Sequence, residues 1–188
     1  MNGPEALAGA PSLSLVAEFR EVILKMRPRA DAELMERACD VAARCHEGQL
    51  RRSGDPYITH PVAVATILAG LDDIAELDDQ TLCAAVLHDT VEDTPYTMAA
   101  LRREFGARTA AIVAEVTALD RLGRRPARNP AQMLTTITSA DTRVVAVKLA
   151  DRLHNMQTLQ FMPQATQLRK AREVLDTFLP VAQQLSMH

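Results

Sequence analysis

Apolar residues in this chain recur at three- and four-residue spacing along most of its length and almost never alternate at spacing two, so the pattern predicts helices rather than strands. The first periodic block, LSLVAEFREVILKM, predicts a helix over roughly 14–27 that Pro28 ends. ADAELMERACDVAARCH predicts a second over roughly 30–47. The segment EGQLRRSGDPYI breaks the period with Gly48, Gly54 and Pro56 and reads as a loop carrying Arg51 and Arg52. THPVAVATILAGL restarts a helix with Thr59 as its N-cap and Pro61 in the first turn, where a missing N–H is harmless. His60 is thereby set at a helix entrance. DDQTLCAAVLHDTVED predicts the next helix, capped by Asp78 or Asp79, and TMAALRREFG and ARTAAIVAEVTAL predict two more separated by Gly106.

DRLGRRPARNP, residues 120–130, is the clearest interruption, with four arginines, Arg121, Arg124, Arg125 and Arg128, among Gly and Pro. AQMLTTITSADTRVVAVKLADRLHNMQTL returns to helix, although TRVVAV alone is β-branched enough to pass for a strand. The final block, QATQLRKAREVLDTFLPVAQQL, predicts a helix kinked by Pro180. There is no internal repeat and no domain-sized linker. Residues 1–13, rich in Ala, Gly and Pro, read as a flexible tail, and 14–188 as a single all-α, compact multi-helix domain.

Composition sharpens this picture at three points. The 188 residues are 47% hydrophobic but only 3% aromatic and lack Trp, so the core must be built from Leu, Ala, Val, Ile and Met, as in helix-on-helix packing. The net charge of −3 argues against nucleic acid or an anionic membrane as partner, and any basic site must be local. Three cysteines, Cys39, Cys45 and Cys83, without CxxC spacing, argue against a disulfide framework or a thiolate metal site. With no basic, apolar leader and no membrane-length apolar run, the expected location is the cytoplasm.

The candidate chemistry lies in AAVLHDTVEDT, where an apolar run ends in His88, Asp89, Glu92 and Asp93. Together with His60 and with Asp151 of KLADRLHN, the pair His88 and Asp89 could form a mixed imidazole and carboxylate shell suited to Mn²⁺, Fe²⁺ or Zn²⁺ rather than Ca²⁺. Glu92 follows His88 by four residues and Asp93 follows Asp89 by four, one helical turn beyond each candidate ligand. Carboxylates so placed can orient a water or accept its proton. Each residue alone has a plainer reading: a solvated helix end for HDxxED, a cap-region histidine for His60, an ion pair with Arg152 for Asp151.

RRSGDPYITHPVAVA, AAVLHDTVEDT and VKLADRLHNMQTL, in that order, resemble the three blocks of the HD-type (p)ppGpp hydrolase domain, and the resemblance runs from about residue 30 to the end. It implies an HD-domain phosphohydrolase fold that binds Mn²⁺ through His60, His88, Asp89 and Asp151. It implies that Glu92 and Asp93 serve the hydrolytic water, that Arg51, Arg52, Ser53, Asn155 and Thr158 line the nucleotide pocket, and that guanosine tetraphosphate or pentaphosphate is cut at the 3′ position to pyrophosphate and GDP or GTP. Tyr57, His46 and His154 read as structural.

The chain departs from that family at Ala118, where a lysine is usual, and at Gln132 and Met133 in place of a basic pair. The arginines at 121–128 read equally as replacements for these cations or as a solvated, disordered loop. Two other functions stay open: another nucleotide phosphohydrolase, acting for example on NADPH, and a non-catalytic alarmone-binding module. No synthetase-like segment follows residue 188, so the chain reads as a free-standing hydrolase or a fragment, with Met1 favouring the former.

Overall fold

The computed structural model describes residues 10–71, 77–123 and 135–184. The helices are α1 (Ala10–Met26), α2 (Ala32–Cys45), α3 (Thr59–Ala69), α4 (Asp79–Leu87), α5 (Thr90–Asp93), α6 (Met98–Gly123), α7 (Thr142–Gln157), α8 (Gln164–Glu173) and α9 (Leu179–Gln184). Residues 135–138 are also helical, a 3₁₀ turn spans Leu159–Phe161 and a π turn spans Val174–Phe178. Among the described residues the only strand-like pairing is one antiparallel bridge between Leu50 and Pro56, so the all-α expectation holds.

The architecture is organised around α4. Every residue from Thr81 to Leu87 is buried, and the helix packs against α2, α3, α6 and α7. A helix buried on all sides must be apolar all round, and its small residues, Cys83, Ala84 and Ala85, let neighbouring backbones approach closely. The face of α2 that meets it carries Met35, Ala38, Cys39 and Ala42, and α1 closes the other side of α2 with Phe19 and Ile23. Burying each large aliphatic side chain in such a core contributes about 1.5–3 kcal/mol.

Helix starts follow side-chain capping where the sequence supplies it. Asp31, Asp78 and Asp141 accept hydrogen bonds from the backbone N–H groups of Leu34, Thr81 and Arg143 at the starts of α2, α4 and α7. Three boundaries differ from the sequence reading. α1 begins at Ala10 rather than at about residue 14. Thr59 is the first residue of α3 rather than its cap, and its hydroxyl donates backward to the Pro56 carbonyl at 2.8 Å. The stretch AQMLTTITSADTRVV is not one helix, because the chain turns at Ser139 and Ala140 before Asp141 caps α7.

TRVVAV is helical, its β-branched residues Val144, Val145 and Val147 buried in α7, so packing overrides local strand preference. The disturbance expected at Pro180 is spread over the preceding turn. There Leu179 N–H reaches back five residues to the Val174 carbonyl, a wider turn that avoids asking Pro180 for a donor.

Gly106 divides α6 as the sequence predicted, with φ 86° and ψ 170° inside an otherwise helical span. A β-carbon built there would meet nothing within 4 Å, so the requirement for glycine is conformational and not steric. Gly106→Ala should therefore lower stability by about 1–3 kcal/mol in denaturant unfolding, with the helical circular dichroism signal retained. A loss near zero would show that the bend relaxes without cost.

Candidate active site

The loop between α2 and α3 is built to present side chains. Gly48 and Gly54 take φ of 75° and 93°, Arg51 N–H donates to the Asp55 carbonyl at 2.8 Å, and Tyr57 N–H donates to the Gln49 carbonyl at 2.9 Å. Tyr57 leaves this loop with its ring stacked on His46, centroids 4.4 Å apart. Its hydroxyl donates to Asp89 Oδ2 at 2.7 Å and lies 3.4 Å from Asp93 Oδ2.

Three chain segments converge behind that ring. His60 comes from the first turn of α3, His88 and Asp89 from the turn that follows α4, and Asp151 from the middle of α7. His60 Nε2 stands 3.3 Å from Asp151 Oδ1 and 3.5 Å from Asp89 Oδ2, while His88 Nε2 stands 3.2 Å from Asp89 Oδ2 and 4.0 Å from Asp151 Oδ1. Ligand atoms of His60, His88 and Asp151, all three buried, lie within 4.8 Å of one another, the arrangement a divalent cation requires. Asp89 Oδ2 borders the same space.

The donor set fits a cation on a second count. His88 Nδ1 is 2.8 Å from the Ala85 carbonyl, which can only accept, so that nitrogen carries the proton in the neutral ring and Nε2 offers a lone pair. Nε2 is buried without a hydrogen-bond partner, its approach to Asp89 being close but misaligned. A buried polar atom left unmatched and aimed at carboxylates is what a metal ligand looks like before its metal.

His60 is positioned by His154, their Nδ1 atoms 2.8 Å apart. A proton on His60 Nδ1 donated to His154 leaves His60 Nε2 free toward the cluster. Burial, with the nearby charges of His60 and Arg51, holds His154 down at about 4, so it accepts as a neutral ring. Burial lowers His60 too, against the opposing pull of Asp151. Burial also disfavours a charged His88, but Asp89 and Asp151 outweigh it and hold the imidazole up at about 9, so a cation binding at Nε2 would have to displace a proton.

The carboxylates are held ionised from outside the cluster. Lys148, 2% exposed, donates to Asp151 Oδ2 at 2.8 Å and to Asp120 Oδ1 at 2.6 Å. Asn155 Nδ2 donates to Asp151 Oδ1 at 2.6 Å. Burial works against the charged form of Asp151, yet Lys148 and the histidines keep its carboxyl well below the ordinary range. The partner expected from sequence, Arg152, turns away instead, 3.7 Å from Glu173 and over the Phe178 ring at 4.6 Å.

Beyond the cluster opens a cleft of about 340 Å³ lined by Arg51, Tyr57, Asp93 and Asn155 on one side and Arg152, Arg169 and Lys170 on another. A second cleft of about 190 Å³ adjoins it, lined by Arg51, Arg52, Ser53, Tyr57, Thr158 and Phe161. Arg51 and Tyr57 line both. Arg51 Nη2 donates to Asn155 Oδ1 at 3.4 Å and Thr158 Oγ1 at 3.3 Å, closing the boundary between them. Ser53 donates to Asp55 at 2.7 Å.

Of the pair after the histidine, Asp93 is exposed and lines the larger cleft, whereas Glu92 is half-buried on α5 and stands outside the cleft lining. The Asp93 N–H to Asp89 carbonyl bond at 2.9 Å keeps the one-turn relation, although α4 itself ends before His88. Of the residues the sequence reading flagged as family departures, Ala118 is exposed and lines neither cleft. Gln132, Met133, Arg124, Arg125 and Arg128 lie outside the described residues.

Sequence reasoning read Tyr57 and His154 as structural, and missed Asp120, Lys148, Arg169 and Lys170. Lys148 and His154 sit three residues either side of Asp151, hence on its helix face, and that spacing was the available signal. Asp120 comes from α6 and had none.

A buried His, His and Asp triad within an all-helical domain defines an HD-type metal-binding protein. The chain matches the HD domain family over residues 38–188 and belongs to it. It is homologous to proteins of the RelA and SpoT type. It is 49% identical over 175 residues to the bifunctional (p)ppGpp synthase/hydrolase RelA of Mycobacterium tuberculosis, covering 92% of this chain and 23% of that one. It is 41% identical over 179 residues to the bifunctional (p)ppGpp synthase/hydrolase SpoT of Escherichia coli, covering 93% and 25%. The chain thus spans about a quarter of the length of these relatives. A solved structure described as a metazoan ortholog of SpoT that hydrolyzes ppGpp aligns at TM-score 0.60 and 25% identity, over 94% of this chain and 87% of that one. Among the described residues no helix is long and apolar enough to cross a membrane.

Tyr57→Phe removes the hydroxyl that orients Asp89 and keeps the ring on His46. Divalent-cation affinity measured by calorimetry should fall about 10- to 100-fold, the usual effect of losing a group that orients a ligand, with thermal stability little changed. An unaltered affinity would make Tyr57 a packing residue only.

Proposed function

We propose that this domain hydrolyses (p)ppGpp at the 3′-pyrophosphate in a reaction that depends on a divalent cation, Mn²⁺ for preference. One observation carries the reading: a cleft that can hold phosphates opens directly from the buried His60, His88 and Asp151 triad and shares Arg51 and Tyr57 with a second cleft suited to a nucleoside. Homology to the RelA and SpoT proteins, named for acting on (p)ppGpp, supports the same substrate.

In this reading His60, His88, Asp89 and Asp151 hold the cation, whose mixed nitrogen and oxygen shell lacks thiolate and suits Mn²⁺. Bound there, the cation lowers the pKa of water and neutralises phosphate charge. The guanine base rests against Arg52 and Phe161, with Ser53 at the edge. Arg51, Asn155 and Thr158 meet at the boundary, where they reach ribose oxygens.

Asp93, in the cleft and one turn past Asp89, accepts the proton of the attacking water, and Glu92, beside it in sequence, is the second carboxylate that serves this water. The water oxygen bonds to the 3′ α-phosphorus, the P–O3′ bond breaks, and the 3′ oxygen takes up a proton. Pyrophosphate and GDP or GTP result. An acid and base of this kind contribute about 10²–10⁴-fold to rate.

Chelation should abolish pyrophosphate release and Mn²⁺ should restore it more fully than Mg²⁺ or Ca²⁺. Turnover persisting in protein shown by elemental analysis to be metal-free would remove the cation from the reaction. Asp93→Asn should retain the cation by calorimetry while kcat falls by about 10²-fold or more. Near-normal kcat in that variant would place the base elsewhere, and a nucleotide panel in which a 2′-phosphorylated dinucleotide outcompetes ppGpp would replace the substrate.

A further inference from the structure

A chain of net charge −3 must bind a polyanion through local cations, and the loop at 121–128, the reserve suggested by sequence, lies largely outside the described residues. The described part of the larger cleft contains cations of its own. Five carboxylates line it, from Asp89, Asp93, Asp120, Asp151 and Glu173, and five basic side chains, from Arg51, Lys148, Arg152, Arg169 and Lys170. The lining is balanced before any cation binds, and a divalent ion leaves it at about two positive charges.

The bases are not equally committed. Lys148 is taken up by Asp120 and Asp151, and Arg152 leans on Glu173. Arg51 is engaged with Asn155 and Thr158. The side chains of Arg169 and Lys170, neighbours on α8, make no hydrogen bond or close ion pair with any described residue although both line the cleft. Lys170 is half-buried, and burial together with the charges of Arg152 and Arg169 pushes its ammonium below the usual lysine range. Three like charges share this wall with one carboxylate, Glu173, so the wall keeps an excess of positive charge that an anion would offset.

The wall they occupy also says which anion. Arg169 and Lys170 line the metal cleft and are absent from the lining of the second, where the nucleoside rests. A group held there lies in the phosphate compartment and not beside the base. We propose that Arg169 and Lys170, backed by Arg152, form the subsite for the distal phosphate of the scissile pyrophosphate, so that this wall selects a pyrophosphate ester over a monophosphate ester. The assignment rests on the function proposed above.

The test uses the double variant Arg169→Gln/Lys170→Gln, both positions on a polar helix with no buried residue. Calorimetry with inorganic pyrophosphate and with orthophosphate, in chelator so that only protein cations act, should show tighter binding of pyrophosphate to the parent. In the variant that preference should shrink about tenfold or more, the scale of one or two lost charge-assisted hydrogen bonds. With Mn²⁺, KM for ppGpp should rise by a similar factor at little change in kcat, while the affinity for guanosine 5′-diphosphate carrying a single 3′-phosphate stays as in the parent. Equal losses for both nucleotides, or no loss of pyrophosphate preference, would overturn the subsite. If the parent fails to release pyrophosphate from ppGpp but the calorimetric preference exists and is lost in the variant, the substrate reading falls and the pyrophosphate subsite stands.

Discussion

The structure depends on keeping three ionised or ionisable groups buried at one point. Asp151, His60 and His88 are nearly inaccessible to water, and an unpaired carboxylate in such a place would cost several kcal/mol and protonate. Lys148 prevents this by joining Asp151 to Asp120, which ties the middle of α7 to the end of α6. Tyr57 does the same for Asp89 from the α2–α3 loop. The network that charges the site is therefore also the network that registers three helices and a loop against one another, and loosening any of these elements would disturb both.

The core composition makes this burial possible. A chain with few aromatics packs its central helix by small residues, and the run from Thr81 to Leu87 disappears among four neighbours without a large ring to hold them apart. Close packing carries His88 into the interior at the end of that helix, where the Ala85 carbonyl sets its proton on Nδ1. Tyr57, the aromatic that reaches Asp89, is positioned by stacking on His46, which is itself held by Gln49 at 2.9 Å.

Division of the surface into two joined clefts separates two recognition problems. The smaller has two arginines, two aromatic rings and a methionine, a lining suited to a flat ring with exocyclic polar groups. The larger is polar and ionic and balanced in charge until a cation enters. A bound divalent cation would add two positive charges to that lining, so attraction for an anion would increase with the metal.

The helical period, the Gly106 break, the aspartate caps and the His-Asp pair were legible in the sequence because each depends on residues within one or two turns. The resemblance brought His60 and Asp151 to the same site, which no local spacing could do, and the coordinates put them 3.3 Å apart. What only the tertiary structure decided were the pairings between elements far apart in sequence: Lys148 with Asp120, Tyr57 with Asp89, His60 with His154, Arg51 with Asn155. The same holds for Arg169 and Lys170, which in the chain are two charges on a polar helix and in the fold are one wall of a cleft. Periodicity records which face of a helix turns inward, but a salt bridge or a cleft is defined by the distance between two faces, and that distance exists only after the helices have packed.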